Sequence, residues 1–360
     1  MSATTANTGI VNSLTTGRLP KWAPWVTLAA SWVIVGAIFG FMSAASGEEF
    51  NIAIVLFLGT VLFDVAIFTL AFLVEGVRQA KDRLVTSLVA TAFIIALIPL
   101  ISLLFTVVSN GIARFDPLFF SSSMRNIVGE GGGALHAIMG TLEITGMAAL
   151  ISVPVGLLTA IYLVEYGKGV LARAITFFVD VMTGIPSIVA GLFAFAFFAL
   201  ITGDAGIRFG FGGSVALSLL MIPVVVRSSE EMLKLVPNEL REASYALGVP
   251  KWLTILKIVI PTSIAGITTG VTLAIARVIG ETAPLLIISG FTASMNYDLF
   301  NDRMMSLPVF VYTQYANPGS DVQPYLDRAW AGALTLILIV MALNLVARLV
   351  ARIFSPKLGR

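Results

Sequence analysis

Cysteine is absent from this 360-residue chain, histidine occurs once, and charged side chains make up only 12% of it. Without cysteine there are no disulfides and no thiolate metal sites. So few charges exclude an ordinary water-exposed globular surface, which carries roughly twice that fraction. The 22 basic and 20 acidic residues nearly cancel, leaving a formal charge of +2, too small an excess for a nucleic-acid partner. No GxxxxGK[ST] phosphate loop, HExxH helix or serine nucleophile elbow occurs, and no fixed-period repeat or inverted pair of halves is visible.

What the chain has instead is apolar length: 58% of its residues are hydrophobic. Crossing a hydrocarbon core takes about 20 apolar residues in a helix. Runs of that kind fall at Trp25–Ala45, Ile52–Val74, Leu84–Val108, Ile138–Val164, Ala174–Ile201, Ser214–Val226, Ile264–Ser289 and Ala329–Val350. The expectation is an all-α polytopic membrane protein of about eight spans, its fifth span tilted or broken at Pro186. Residues 1–21 are a polar stretch expected to be disordered and cytoplasmic. The first apolar run is too long for a signal-peptide core, so it reads as a retained helix.

Placing the N-terminus in the cytoplasm puts 16 of the 22 Lys and Arg on that side. Both termini are then cytoplasmic. The opposite side holds Arg114, Arg125, Arg208, Arg303 and Arg328 among nine acidic residues, Glu48 and Glu49 included, and two long segments, Ser109–Leu135 and Gly290–Arg328. Those segments either receive an extracytoplasmic partner or pack over the helix ends.

The sizeable inside segment, 227–261, is ordered in its local chemistry. Asn238 after Pro237 reads as a helix N-cap, Gly248 as a left-handed terminator, and Pro250 as a stop. Two short helices joined by a tight turn result. Such a hairpin is either a knob for another protein or an amphipathic element resting on headgroups.

Within it, Glu242, Ala243 and Ser244, then Gly248, Ile258, Ile260 and Pro261 resemble, in type and spacing, the EAA loop of importer permeases of the ATP-binding cassette class. Ser244 stands where that family usually has Ala. The resemblance implies a six-helix type I permease core whose coupling helix inserts into a separate ATPase subunit; that subunit, not this chain, uses ATP and Mg. Further stretches, GTLEITGMAALISVPVGLLTAIYLVEY, DVMTGIPSIVAGLF, MIPVVVRSSEEMLKLVPNELREASYAL, AIARVIGETAPLLI and LFNDRMMSLPVFVYTQY, resemble the phosphate-specific permeases, the PstA kind more than the PstC kind. This likeness covers about Gly131–Asn317. It implies a PstC-like permease partner, a PstB-like ATPase dimer, a PstS-like binding protein and a bacterial cytoplasmic membrane. The organisation it implies is extra helices and the first core helix over 22–108, and the permease domain over 109–355. The extra N-terminal helices depart from the family's pattern.

Charges inside spans cost about 2.5–3.5 kcal/mol each at mid-bilayer. The seventh span carries Arg277 near its middle and Glu281 four residues on, hence expected on the same face. Gly266, Gly270 and Ala274 step along that stripe and suggest that it faces protein. An arginine fork suits a phosphate oxyanion, and the carboxylate could hold the fork when the site is empty and accept a proton from monobasic phosphate. The other reading is a structural ion pair. Ser187, after Pro186, is a third pathway candidate, capping a restarted helix. Glu143 and Asp180 sit near span ends where water reaches; Asp64 reads as a helix–helix hydrogen bond and His136 as an interfacial residue. A permease for sulfate or molybdate, or a self-contained secondary transporter, remain as alternatives, whereas a membrane-embedded enzyme lacks any catalytic motif.

Overall fold

The computed structural model describes residues 17–46 and 51–354. The first sixteen residues of the segment expected to be disordered, together with Glu48, Glu49, Lys357 and Arg360, lie outside them. Among the described residues all regular structure is helical. In chain order the elements are α1 (Ala23–Ser46), α2 (Ile52–Val74), α3 (Val77–Gly111), α4 (Pro117–Ser121), α5 (Leu135–Ile161), α6 (Gly169–Thr183) and α7 (Ser187–Thr202). There follow α8 (Gly210–Lys234), α9 (Asn238–Ala246), α10 (Lys251–Thr254), α11 (Ile260–Val278), α12 (Ala283–Ile288), α13 (Leu307–Ala316) and α14 (Gln323–Phe354). Among the described residues seven helical stretches are long and apolar enough to cross a membrane, and the bent pair α6–α7 makes up to eight. The chain is a multi-pass membrane protein, and it forms two compact units, Met1–Leu103 and Leu104–Arg360.

In the first unit α1 and α2 form a hairpin that depends on Gly59, since a Cβ there would stand 2.3 Å from the indole of Trp32. That indole donates to Thr60 Oγ1 at 3.3 Å. Asp64 accepts from Ser87, so the carboxylate inside α2 is satisfied by the next helix, as expected. At the turn after α2, buried Glu75 receives the Leu19 amide at 2.7 Å and both Nε and Nη2 of Arg83 at 2.6 and 2.8 Å. The hydrogen bonds from Arg83 hold its carboxyl below the usual carboxylate range, outweighing its desolvation.

The second unit is organised on α5 and α8. Gly140, Ile144, Ala148, Ser152, Gly156 and Ala160 recur every four residues along α5, and all are buried. Steps of four trace one ridge of a helix, and small residues on that ridge let a second backbone approach. α8 answers with Ser214 and Ser218. Ser214 Oγ donates across the interface to the Ile144 carbonyl at 3.0 Å, and Ser218 Oγ donates back to the Ser214 carbonyl at 2.7 Å. Further along, a Cβ on Gly156 would lie 2.7 Å from Val225 Cγ1.

Of two expected spans, one takes the broken form of its two alternatives and the other is displaced. The run Ala174–Ile201 is broken: α6 ends at Thr183, α7 restarts at Ser187, and their axes are bent by 109°. Pro186, the N-cap of α7, cannot continue a helix and restricts Ile185 to extended backbone. The seventh span is shifted towards the N-terminus: it runs Lys251–Val278, through a π-helical turn at Ile255–Val259, and α12 is a separate six-residue helix. Gly280 and Pro284 favour the break at its far end. Arg277 therefore occupies the last turn of α11, not the middle of a span, where a cation complements the helix dipole.

The long segments over the helix ends pack against each other. The Met124 amide donates to the Ala293 carbonyl at 3.1 Å and the Leu307 amide to Thr141 Oγ1 at 2.6 Å. Fully buried Arg328 donates to Gln314 Oε1 at 2.9 Å and to the carbonyls of Gly129 and Gly131 at 2.6 and 3.0 Å; Arg114 Nη2 reaches the Gly132 carbonyl at 2.7 Å. His136 is 1% exposed against the Phe310 ring, so it is a core residue and not an interfacial one. Glu143 lies half-buried in the third turn of α5 with one carboxylate oxygen buried and without a hydrogen-bond partner among the described residues.

Replacing Gly156 by leucine should separate α5 from α8 and destabilise the second unit by about 1–3 kcal/mol or more. Thermal unfolding of the detergent-solubilised protein measures this; an unchanged midpoint would show that the ridge tolerates bulk. At Glu75 the sign is fixed by its lowered value: the ionised form is favoured by folding, so the stability it supplies is present above pH 4.5 and is lost as pH falls below that. Glu75→Gln should abolish that acid dependence in the same unfolding experiment.

Candidate functional site

The break between α6 and α7 opens a cleft of about 160 Å³ facing α8 and the end of α11. Met182, Thr183, Ile185 and Ser187 line one wall, Leu220, Pro223 and Val224 of α8 another, and Arg277 with Glu281 the third. The three residues expected on a substrate pathway, Ser187, Arg277 and Glu281, thus share one cavity.

How they come together differs from expectation. Glu281 is not one turn along the helix from Arg277, because α11 stops at Val278; it lies in the turn before α12, its amide donating to the Val278 carbonyl at 3.1 Å. No ion pair joins the two side chains among the described residues. Nor does the stripe of small residues lead to Arg277. Gly266 and Gly270 face Met232 and Ser228 of α8, and Ala274 and Val278 continue that buried line. Arg277 stands beside it, exposed on this subunit and turned into the cleft. Ser187 opens α7 directly after Pro186, with no side-chain capping bond at that end.

On one side the cleft is bounded by charges the sequence did not single out as a group. Arg227, one turn along α8 from Val224, pairs with Asp180 of α6, and its Nη1 reaches Glu230 Oε2 at 2.8 Å. Lys234 Nζ holds the other oxygen of Glu230 at 2.7 Å. The network ties α6 to α8 between the cleft and the hairpin that follows α8.

That hairpin is gripped by Arg241. Its Nε and Nη2 donate to Glu165 Oε1 at 3.0 and 2.9 Å, Nη2 to the Leu233 carbonyl at 3.0 Å and Nη1 to the Val236 carbonyl at 2.5 Å. One guanidinium thereby satisfies carbonyls at the end of α8 and a buried carboxylate in the π-helical turn after α5. Lys251 caps the same turn at the Glu165 carbonyl and lies 4.8 Å over the Tyr166 ring. Neither Glu165 nor Arg241 was legible as a site residue, since a pair 76 positions apart leaves no local signal.

The residues of the loop motif divide by position. Ser244 is buried and shares a hydrogen bond of 2.8 Å with Thr254, so its hydroxyl staples α9 to α10 where an alanine could not. Glu242, Ala243 and Gly248 are exposed, Gly248 with the left-handed φ of 74° that its role as terminator requires, and Pro261 is exposed in the first turn of α11. The N-cap of α9 is Pro237, not Asn238, whose side chain accepts instead from Arg241 at 3.3 Å. The second short helix of the hairpin is not free-standing, because α10 runs through the π-helical turn into α11. Leu235, Tyr245 and Leu247 leave apolar surface open around α9.

Residues 152–360 match the family of binding-protein-dependent transport system inner membrane components. The chain is 48% identical over 276 residues to the phosphate transport system permease protein PstA 1 of Mycobacterium tuberculosis, covering 76% of this chain and 89% of that protein. It is 49% identical over 273 residues to PstA of Mycobacterium leprae (74% and 88%) and 39% identical over 274 residues to PstA of Yersinia pestis (76% and 90%). In fold it is similar to a chain of a bacterial alginate ABC transporter solved with a pentasaccharide-bound periplasmic protein, at TM-score 0.54 and 14% identity over 78% of this chain and 97% of that one. A chain of the inward-facing methionine transporter MetNI aligns at TM-score 0.51 and 19% identity over 62% and 96%.

Arg241→Gln should release the hairpin from α5, because removing one partner of a buried pair costs about 3–5 kcal/mol. Limited proteolysis of membranes carrying the variant should cleave within residues 235–250 faster than in the parent; equal rates would mean that the clasp does not hold the hairpin.

Proposed function

We infer the working of this chain from one premise: it belongs to the binding-protein-dependent transport system inner membrane components, and within them to the PstA phosphate permeases. It is a permease subunit of a phosphate ABC importer with the type I permease fold, a non-catalytic membrane component, ATP hydrolysis residing in a separate subunit. The finer reading follows. The cleft bearing Ser187, Arg277 and Glu281 is the phosphate pathway of this subunit, in a bacterial plasma membrane. The observation that carries it is an arginine and a carboxylate lining one cavity between apolar helices with no ion pair between them.

A guanidinium with no ion pair among the described residues, next to a helix restart, offers planar donors to a tetrahedral oxyanion. Glu281, on the same wall, repels a dianion and accepts a hydrogen bond only from a protonated one, which favours monobasic phosphate over sulfate. Arg277 is exposed on this subunit alone, which fits a path completed by a PstC-like partner. The exposed Glu242 and Ala243, ringed by apolar Leu235, Tyr245 and Leu247, fit a cleft on a PstB-like ATPase dimer, which would bind ATP and Mg. Movement of that socket would reach the cleft through the Arg241–Glu165 clasp and α8, and the Asp180–Arg227 pair would part when the cleft opens towards the hairpin side. Exposed Val128, Tyr297, Phe300 and Tyr315 on the opposite end offer surface to a PstS-like binding protein.

Labelled phosphate uptake by starved cells tests this reading. Arg277→Gln should lower uptake at least about 100-fold, the loss of one charge-assisted site in a desolvated setting, with the complex still assembled in the membrane; Glu242→Lys should do the same through the hairpin. Loss of the assembled complex with Arg277→Gln would mean a structural pair with the partner subunit, and competition by sulfate or molybdate would mean a broader anion range.

A further inference from the structure

At the end of α8 far from the hairpin, two more arginines converge. The stems of Arg208 and Arg303 both lie within 3.3 Å of the point that a side chain on Gly290 would occupy, Arg208 Cδ at 2.8 Å and Arg303 Cδ at 3.3 Å. Gly290 follows α12 with a φ of 75°, so both the left-handed backbone and the two stems demand glycine there.

The backbone fixes this convergence, not chance side-chain placement. Three successive carbonyls at the end of α12 are capped from the two arginine-bearing segments. Ile287 accepts from Arg208 Nε at 3.1 Å, Ile288 from the Phe209 amide at 3.0 Å, and Ser289 from the Met304 amide at 3.1 Å. Each arginine is thus adjacent to, or is itself, an anchor on the same helix terminus.

Neither guanidinium has a carboxylate within ion-pairing distance among the described residues. Of the acids near them in sequence, Asp204 accepts from the Gly206 amide at 2.7 Å, and Asp298 from the Phe300 amide at 2.9 Å and Asn301 Nδ2 at 2.6 Å, while Asp302, beside Arg303 in the chain, makes no ion pair among the described residues. These bonds pull the Asp298 carboxyl below its usual range, keeping it an anion that faces its own loop. Two arginines whose stems share one point, and whose guanidiniums have no carboxylate partner among the described residues, offer paired donors to the oxygens of one anion, monobasic phosphate included.

α12 connects this pair to the cleft. Glu281 and Arg277 lie before its first turn and Gly290 after its last, and six residues of helix rise roughly 9 Å. We propose that Arg208 and Arg303 form an outer receiving site for inorganic phosphate, which holds the anion released at this end of the subunit before it passes along α12 to Arg277. The proposal rests on the phosphate-import reading. Two fixed positive charges at the mouth raise the local anion concentration and oppose return to the open binding protein.

The test uses the complete transporter in liposomes, with phosphate-loaded binding protein on one side and ATP on the other. Phosphate imported per ATP hydrolysed is compared for the parent, Arg208→Gln, Arg303→Gln and Arg303→Lys. Both glutamine variants should import about tenfold less phosphate per ATP, the loss of one charge-assisted contact, while binding protein still stimulates ATP hydrolysis; Arg303→Lys should keep most of the ratio because it keeps the charge. An unchanged ratio in both glutamine variants overturns the proposal. So does an unchanged ratio accompanied by a higher concentration of binding protein for half-maximal stimulation, which would make the pair a protein contact. Failure of the phosphate reading itself shows separately, as absence of phosphate import by the parent protein.

Discussion

The close approach of α5 and α8 is the constraint on which the second unit depends. A lipid-facing protein gains little by hiding apolar side chains from tails that are equally apolar, so helices associate where their backbones can come near and exchange hydrogen bonds. The ridge from Gly140 to Ala160 supplies that nearness, and Ser214 and Ser218 supply the bonds, to the carbonyls of Ile144 and Ala148. One wall of the cleft and the hairpin's anchors then belong to these two helices and the turns that extend them. α8 carries Leu220, Pro223 and Val224 into the cleft, Arg227 beside it and the hairpin at its end. The π-helical turn that follows α5 carries the Glu165 that Arg241 grips.

This arrangement makes a mechanical connection of unusual economy. The hairpin is not tethered by a flexible linker; it is bonded to two helices through one guanidinium and stapled internally by Ser244 and Thr254. A displacement of the hairpin therefore acts on the ends of α5 and α8 together. The cleft lies in the gap between α8 and the broken α6–α7 pair, with Asp180 and Arg227 joining its two sides. A half-exposed ion pair of this kind contributes little net stability, which suits a contact that must open.

Irregular backbone is confined to places where it does something. The break at Gly184–Pro186 frees a helix start beside Arg277, and the stop after Val278 turns Glu281 into the same cavity. Backbone polar groups at membrane depth are tolerated only where protein or a wet cavity satisfies them. Both breaks border the cleft, and the far end of α12 is capped by Arg208, Phe209 and Met304.

The sequence by itself determined the class of this protein. Apolar run length counts spans because a hydrocarbon core has a fixed thickness, and the motif spacing around Glu242, Gly248 and Pro261 marked the hairpin because it is local. It also marked Ser187, Arg277 and Glu281, since charges and a mid-span proline in an apolar run are conspicuous wherever they fall. Only the tertiary structure decided how those residues meet. Helix periodicity put Glu281 one turn beyond Arg277, yet the helix ends between them, and a stop set by Gly280 and Pro284 together is not readable from periodicity. The Arg241–Glu165 clasp, the burial of Arg328 and His136, and the meeting of Arg208 with Arg303 join residues distant in sequence. Such contacts depend on which helix faces approach, and that is settled by packing and hydrogen bonding across the whole bundle rather than by any local run of residues.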